Sequence, residues 1–188
     1  IHRRKLIMDK LLLTGFEAFG NTPVNPAEKV AERLDGEVVA GQKIVSCIVP
    51  NTFFTCIDVV KAAIAEVQPK TVVMMGEFGG RAMITVERLA QNLNDGARYG
   101  LRDNGSNLLE DDLTVPDGPV AYRASLPIRA MVLAMPRAGI PADISDAPGT
   151  LCCNHLMYGI LHHVRTQKPP IRAGRVHLPP LPHCAHPE

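Results

Sequence analysis

Apolar positions along the chain follow two alternating patterns. Residues 10–14 (KLLLT) and 71–75 (TVVMM) are short, nearly continuous apolar runs, closed by Gly15 and Gly76. Runs of this length predict strands buried on both faces. Residues 44–49, stopped by Pro50, predict a third strand, and residues 143–145 and 175–177 two more. Between them the spacing changes to threes and fours. Ile57, Val60, Ile64 and Val67 predict a helix over 52–67. Pro69 ends it, because proline lacks the N–H and its ring clashes with the preceding turn. Asn25-Pro26 offers a capping side chain and a first-turn proline for a helix reaching about 35–36. Residues 128–138 predict a helix cut short near Met135 by Pro136, and residues 153–164 another. Segment 84–93 fits strand or helix, and 94–119, rich in Asp, Asn, Gly and Pro, predicts loop.

Alternating strands and helices predict a three-layer α/β/α fold with a mainly parallel central sheet. No repeat or linker divides residues 1–188, so a single domain is expected, with residues 1–9 outside its ordered part and Met8 as the natural start. Such sheets bind ligands beyond the carboxyl ends of their strands. Gly15-Phe16, residues 76–80 and residues 148–153 are delivered there. Neither a Walker A loop nor a Gly-x-Gly-x-x-Gly fingerprint occurs, so nothing points to a nucleotide.

Composition narrows the function further. Twenty basic against nineteen acidic residues gives a net charge of +1, with no electrostatic case for nucleic acid. No apolar run approaches the roughly 18 residues needed to span a bilayer. Five cysteines, an odd number in a chain of this size, predict reduced thiols and a cytoplasmic protein.

The candidate chemistry centres on residues 148–159 (PGTLCCNHLMYG). Cys152 and Cys153 stand where a helix begins, and unpaired N–H groups there favour thiolate. Adjacent residues point about 100° apart on a helix. Cys153 shares its face with Leu156, Met157, Ile160 and Leu161, whereas Cys152 aligns with His155, Gly159 and His163, a more polar stripe. Cys153 is the better nucleophile on that ground, although buried cysteines are often inert packing. Zinc is disfavoured, since adjacent cysteines without a second pair, and histidines on different helix faces, make poor ligand spacing. No cofactor is expected. A nucleophile needs a base and a group that orients the base. His177, at the end of a strand, and Glu87, beside Arg88, are candidates that each also fit structural roles.

Together these segments resemble the pyroglutamyl peptidase I family of cysteine peptidases. Residues 14–20 (TGFEAFG) resemble its opening Thr-Gly-Phe-x-Pro-Phe-Gly, and 76–81 (GEFGGR) its Gly-x-x-Gly-Gly-Arg. Residues 84–88 (ITVER), 149–154 (GTLCCN) and 176–179 (VHLP) resemble the segments holding its glutamate, cysteine and histidine. The resemblance implies release of an N-terminal pyroglutamyl residue from peptides, with Glu87, Cys153 and His177 as a catalytic triad. It also implies Phe16 and Phe19 against the substrate ring, Arg98 near the oxyanion, and a homo-oligomer, dimer or tetramer. Leu151 stands where many members have an aromatic residue, and Glu77 where glutamine is common. The family's final helix is expected to be absent, since the chain stops at Glu188. The alternative class is a truncated, catalytically weak homologue that persists as a non-enzymatic folded protein.

Overall fold

The structure, a computed structural model, describes residues 8–20 and 22–182. In chain order the elements are β1 (Asp9–Phe16), α1 (Pro26–Leu34), β2 (Val38–Val39), β3 (Gln42–Val49), α2 (Thr55–Val67) and β4 (Thr71–Glu77). They continue with β5 (Ile84–Glu87), β6 (Leu89–Gln91), β7 (Ala121–Arg123), α3 (Ile128–Arg137), β8 (Ala142–Ser145), α4 (Cys152–Gln167) and β9 (Arg172–Leu178).

Seven strands form one sheet in the order β2-β3-β1-β4-β9-β5-β8, and β6 and β7 form a separate ribbon. Pairing is parallel for β1 with β3 and β4, for β4 with β9 and for β5 with β8. It is antiparallel for β2 with β3 and for β5 with β9. Successive side chains of a strand point to opposite faces. Leu12 and Met74 accordingly join the core that α2 and α4 cover, while Leu13, Ile44 and Met75 pack with Ala27 and Ala31 of α1. Burial on both faces is why these strands read as continuous apolar runs. Helix α3 packs on β5 and β8 at the far edge. The result is the expected α/β architecture with a mostly parallel central sheet.

Local chemistry sets the boundaries. Asn25 Oδ1 accepts from the Ala27 N–H at 3.0 Å, and Pro26 fills the first helical position. A side-chain carbon at Gly15 would lie 2.2 Å from the Ala27 carbonyl oxygen, so glycine is what lets α1 cross the end of β1.

Three expectations need correction and one open choice is decided. Helix α3 runs through Pro136 to Arg137; the proline falls in the last turn, and the Ala138 N–H still reaches the Met135 carbonyl at 2.9 Å. Helix α2 begins at Thr55 rather than at 52, because Phe54 takes φ +62° and hands its N–H to His155 Nε2 at 2.9 Å. Segment 84–93, left open between strand and helix, takes the strand alternative as β5 and β6. Asp9, expected outside the ordered part, opens β1; the remainder of that expectation, residues 1–7, and the chain end at 183–188 lie outside the described residues.

Candidate active site

Three elements converge beyond the carboxyl ends of β4 and β9. Strand β9 lies between β4 and β5, with His177 opposite Gly76 on one side and Thr85 on the other. Because β5 runs antiparallel to β9, Glu87 pairs with Arg175. Residues two apart share a sheet face, so Glu87, Arg175 and His177 are presented together, beneath the start of α4.

Cys153 lies in the first turn of α4. No side chain caps that helix; Leu151 is its extended N-cap residue, so the orphan N–H groups of the first turn remain for another acceptor. Asn154 pins the turn in place. Its buried amide accepts from the Gln91 N–H at 2.9 Å and donates to the Gln91 and Leu93 carbonyls at 2.8 and 2.9 Å. Gly76 leaves the space beneath: an added side-chain carbon would lie 2.7 Å from Cys153 Sγ and 3.6 Å from His177 Cδ2.

The histidine and glutamate are both buried and joined by one short contact, His177 Nδ1 to Glu87 Oε1 at 2.7 Å. An ionised carboxylate only accepts, so Nδ1 carries the proton and Nε2 keeps its lone pair. Nε2 is buried with no aligned hydrogen-bond partner, and Cys153 Sγ lies beside the ring. Phe78 packs edge-on against the imidazole at 5.2 Å. Glu87 Oε1 also accepts from Arg81 Nη1 at 2.7 Å. Burial opposes the charge on Glu87, but the His177, Ser145 and Arg81 contacts together hold its carboxyl below the usual range. For Cys153, burial likewise opposes ionisation, yet the Arg175 guanidinium and the His177 ring draw the thiol below its ordinary value. Cys152 is the reverse: burial pushes its thiol far up.

These groups open on a cavity of about 440 Å³ walled by Phe16, Phe19, Phe78 and Leu151, with Glu77, Cys153 and His177 on its lining. That volume suits a small ligand. Arg98 is not among the lining residues. It sits in the 3-10 turn Ala97–Tyr99, exposed, with its guanidinium 4.8 Å from the centre of the ring of Tyr99, which does line the cavity.

The stripe of α4 expected to be polar is buried at Cys152, His155 and Gly159 and half-buried at His163. His155 is fully buried between Phe53 and Phe54 and is held by Thr114 and Asn94 at Nδ1. Burial drives its pKa down to about 4. In the unfolded chain it titrates near 6.5, so between those values the unfolded state binds more protons and stability rises with pH. Lowering the pH from about 6.5 to about 4 is expected to cost about 3 kcal/mol through this residue. Chemical denaturation of the wild type and of His155→Gln across that window measures it, and the variant should show a flatter dependence. Equal pH slopes would contradict the assignment.

Two charged residues were not legible as parts of this site. Arg175 reads only as the start of a short strand, and Arg81 only as the last residue of the 76–81 motif. Among the described residues, no cluster of three or more His, Cys, Asp or Glu side chains could hold a metal ion, and no helix is long and apolar enough to cross a membrane. The four described cysteines are free thiols.

An α/β sheet with a Cys–His–carboxylate array beyond its strand ends defines a protein of the cysteine-hydrolase type. A profile described as pyroglutamyl peptidase matches residues 9–187. The pyrrolidone-carboxylate peptidase of Mycobacterium tuberculosis (strain ATCC 25618 / H37Rv) is 58% identical over 178 residues, covering 95% of this chain and 80% of that protein. The Vibrio campbellii protein of the same name is 43% identical over 175 residues, 93% of this chain and 80% of the relative. The crystal structure of pyroglutamyl peptidase I from Bacillus amyloliquefaciens superimposes with a TM-score of 0.90 at 38% identity, covering 94% of this chain and 83% of that one. The chain belongs to the pyroglutamyl peptidase family.

Proposed function

We propose that this protein hydrolyses the amide bond after an N-terminal pyroglutamyl residue of peptides, with Cys153 as nucleophile, His177 as acid and base, and Glu87 as the group that orients it. The observation that carries the reading is the 2.7 Å contact from Glu87 to His177 Nδ1, which supports Nε2 as the ring atom that takes the thiol proton. The names of its relatives point to the same substrate.

The residues suit the chemistry. The Cys153 thiol gives its proton to Nε2, and the thiolate attacks the carbonyl carbon of the scissile amide, forming a C–S bond. The tetrahedral oxyanion faces the uncapped N–H groups of the first α4 turn. As it collapses, the C–N bond breaks and His177 returns the proton to the departing amine. Water, deprotonated by the same ring, then cleaves the thioester and releases pyroglutamate. Glu87 stabilises the imidazolium at each transfer. The lactam carries no charge, and Phe16, Phe19 and Leu151 offer it an apolar wall. No step calls for a metal or cofactor.

The reading extends to the described chain as one pyroglutamyl-peptidase-like domain, to a cytoplasmic setting and to a homo-oligomer. Exposed apolar side chains such as Val120, at 86% accessibility, and Leu133, at 62%, are surfaces that such an assembly would cover. The site geometry and the relatives favour it over a non-enzymatic folded homologue.

The test is hydrolysis of a pyroglutamyl fluorogenic amide under reducing conditions. The protein should cleave it at least about a hundred-fold faster than the prolyl analogue, which lacks the lactam carbonyl and carries an amine charge. EDTA should not inhibit, and thiol alkylation should. No cleavage, or loss of activity to EDTA restored by metal, would overturn the reading.

A further inference from the structure

Arg175 is a buried cation without an obvious anion. Its side chain is fully buried, and neither Nε, Nη1 nor Nη2 has a hydrogen-bond partner among the described residues. No ion pair of the described residues includes it. The guanidinium faces the Phe16 ring at 5.2 Å from its centre, which offsets only part of the lost hydration. A buried charge normally has a partner, because desolvation of an unpaired ion is costly.

The groups facing it limit what the partner can be. Glu87, across from Arg175 on β5, accepts from His177 and Arg81 at Oε1, and its buried Oε2 makes no hydrogen bond to the guanidinium. Cys56, on α2, and Cys152, on α4, are thiols that burial pushes up, Cys56 to about 12, so both stay protonated. Glu77, at the end of β4, lies on the cavity wall. That leaves Cys153. A carbon placed on Gly76 would be 2.7 Å from Arg175 Nη1 and 2.7 Å from Cys153 Sγ, so the two atoms lie no more than twice that distance apart.

We propose that Arg175 is the buried counterion of the Cys153 thiolate, keeping the sulfur charged whether or not His177 carries a proton. Arg175 is then a positioning residue for the reaction described above, and the proposal rests on Cys153 being its nucleophile. It divides the work at the site. Arg175 supplies the charge that holds the thiolate, and His177 is left to deliver the proton to the leaving amine. The thiolate forms by release of the Cys153 proton to solvent or to His177. A guanidinium is a permanent cation, so its field on the sulfur does not depend on which group holds the Cys153 proton.

Alkylation by iodoacetamide reports the thiolate without any need for turnover. The rate would be followed against pH on the full chain, with label at Cys153 separated from label at other cysteines by tandem mass spectrometry. In the wild type the midpoint should lie at least about one pH unit below the ordinary thiol value of about 8.5. Arg175→Met, similar in length but uncharged, should move it up by at least about one unit, and Arg175→Lys should restore most of the shift. His177→Ala should leave it below the ordinary value. An unchanged midpoint in a folded Arg175→Met overturns the proposal. Should that variant not fold, His177→Ala decides: a midpoint that returns to the ordinary thiol value overturns it equally. Labelling that prefers another cysteine would instead defeat the choice of nucleophile.

Discussion

Cys153→Ser is expected to lower pyroglutamyl-amide hydrolysis by at least about 10,000-fold, while Cys152→Ser retains most of the wild-type rate. The two sulfurs are neighbours in sequence but stand in different electrostatic settings. Cys153 looks toward the strand ends, beside His177 and Arg175, and its thiol is drawn below the ordinary value. Cys152 is buried, and its thiol is pushed up. A serine hydroxyl at 153 keeps the shape but loses the thiolate. At 152 the substitution replaces a buried thiol by a slightly smaller hydroxyl, so its effect should appear in stability, with a lower thermal midpoint, before it appears in kcat. Steady-state kinetics beside a thermal melt separate the two. Comparable activity losses in two folded variants would contradict the assignment.

His177→Ala is expected to cost nearly as much as Cys153→Ser, because members of one catalytic unit lose their function together. Glu87→Gln should cost less, roughly a hundred-fold to ten-thousand-fold. An amide at 87 can still meet Nδ1 through its carbonyl oxygen but cannot stabilise imidazolium by charge. It also leaves Arg81 Nη1, now 2.7 Å from Glu87 Oε1, beside a neutral group. The loss should therefore fall mainly on kcat, since neither His177 nor Glu87 is needed to bind a neutral lactam. A Glu87→Gln variant with unchanged kcat, or one whose loss lies wholly in KM, would mean that Glu87 only braces Arg81.

The sequence made the frame of this site readable where local chemistry is decisive. The run at 10–14 ending in glycine reads as a buried strand and is one, and Asn25-Pro26 caps α1 as side-chain and ring geometry require. The choice of Cys153 over Cys152 followed from the 100° step between adjacent helical residues. The reading was less reliable where neighbours in space override neighbours in sequence. The Cys152–His155–Gly159 stripe looked polar, but Phe53, Phe54 and Ile57 at the start of α2 cover it and leave it dry. Arg98 could be matched by motif alone, and only the structure sets it in an exposed 3-10 turn against the Tyr99 ring. Arg175 was the largest omission. An arginine in a short strand ordinarily marks a solvated face. Its burial arises because β9 sits centrally, between β4 and β5, with α4 packed over it.

Whether Cys153 acts within a pyroglutamyl-shaped pocket is tested most directly by an affinity label. Incubation with a pyroglutamyl chloromethyl ketone, followed by peptide mapping, reports both which sulfur reacts and whether the lactam brings the reagent there. The expected result is a single adduct at Cys153, formed in step with loss of hydrolysis and slowed by free pyroglutamate. An adduct at Cys152, or hydrolysis that survives complete labelling of Cys153, would contradict it.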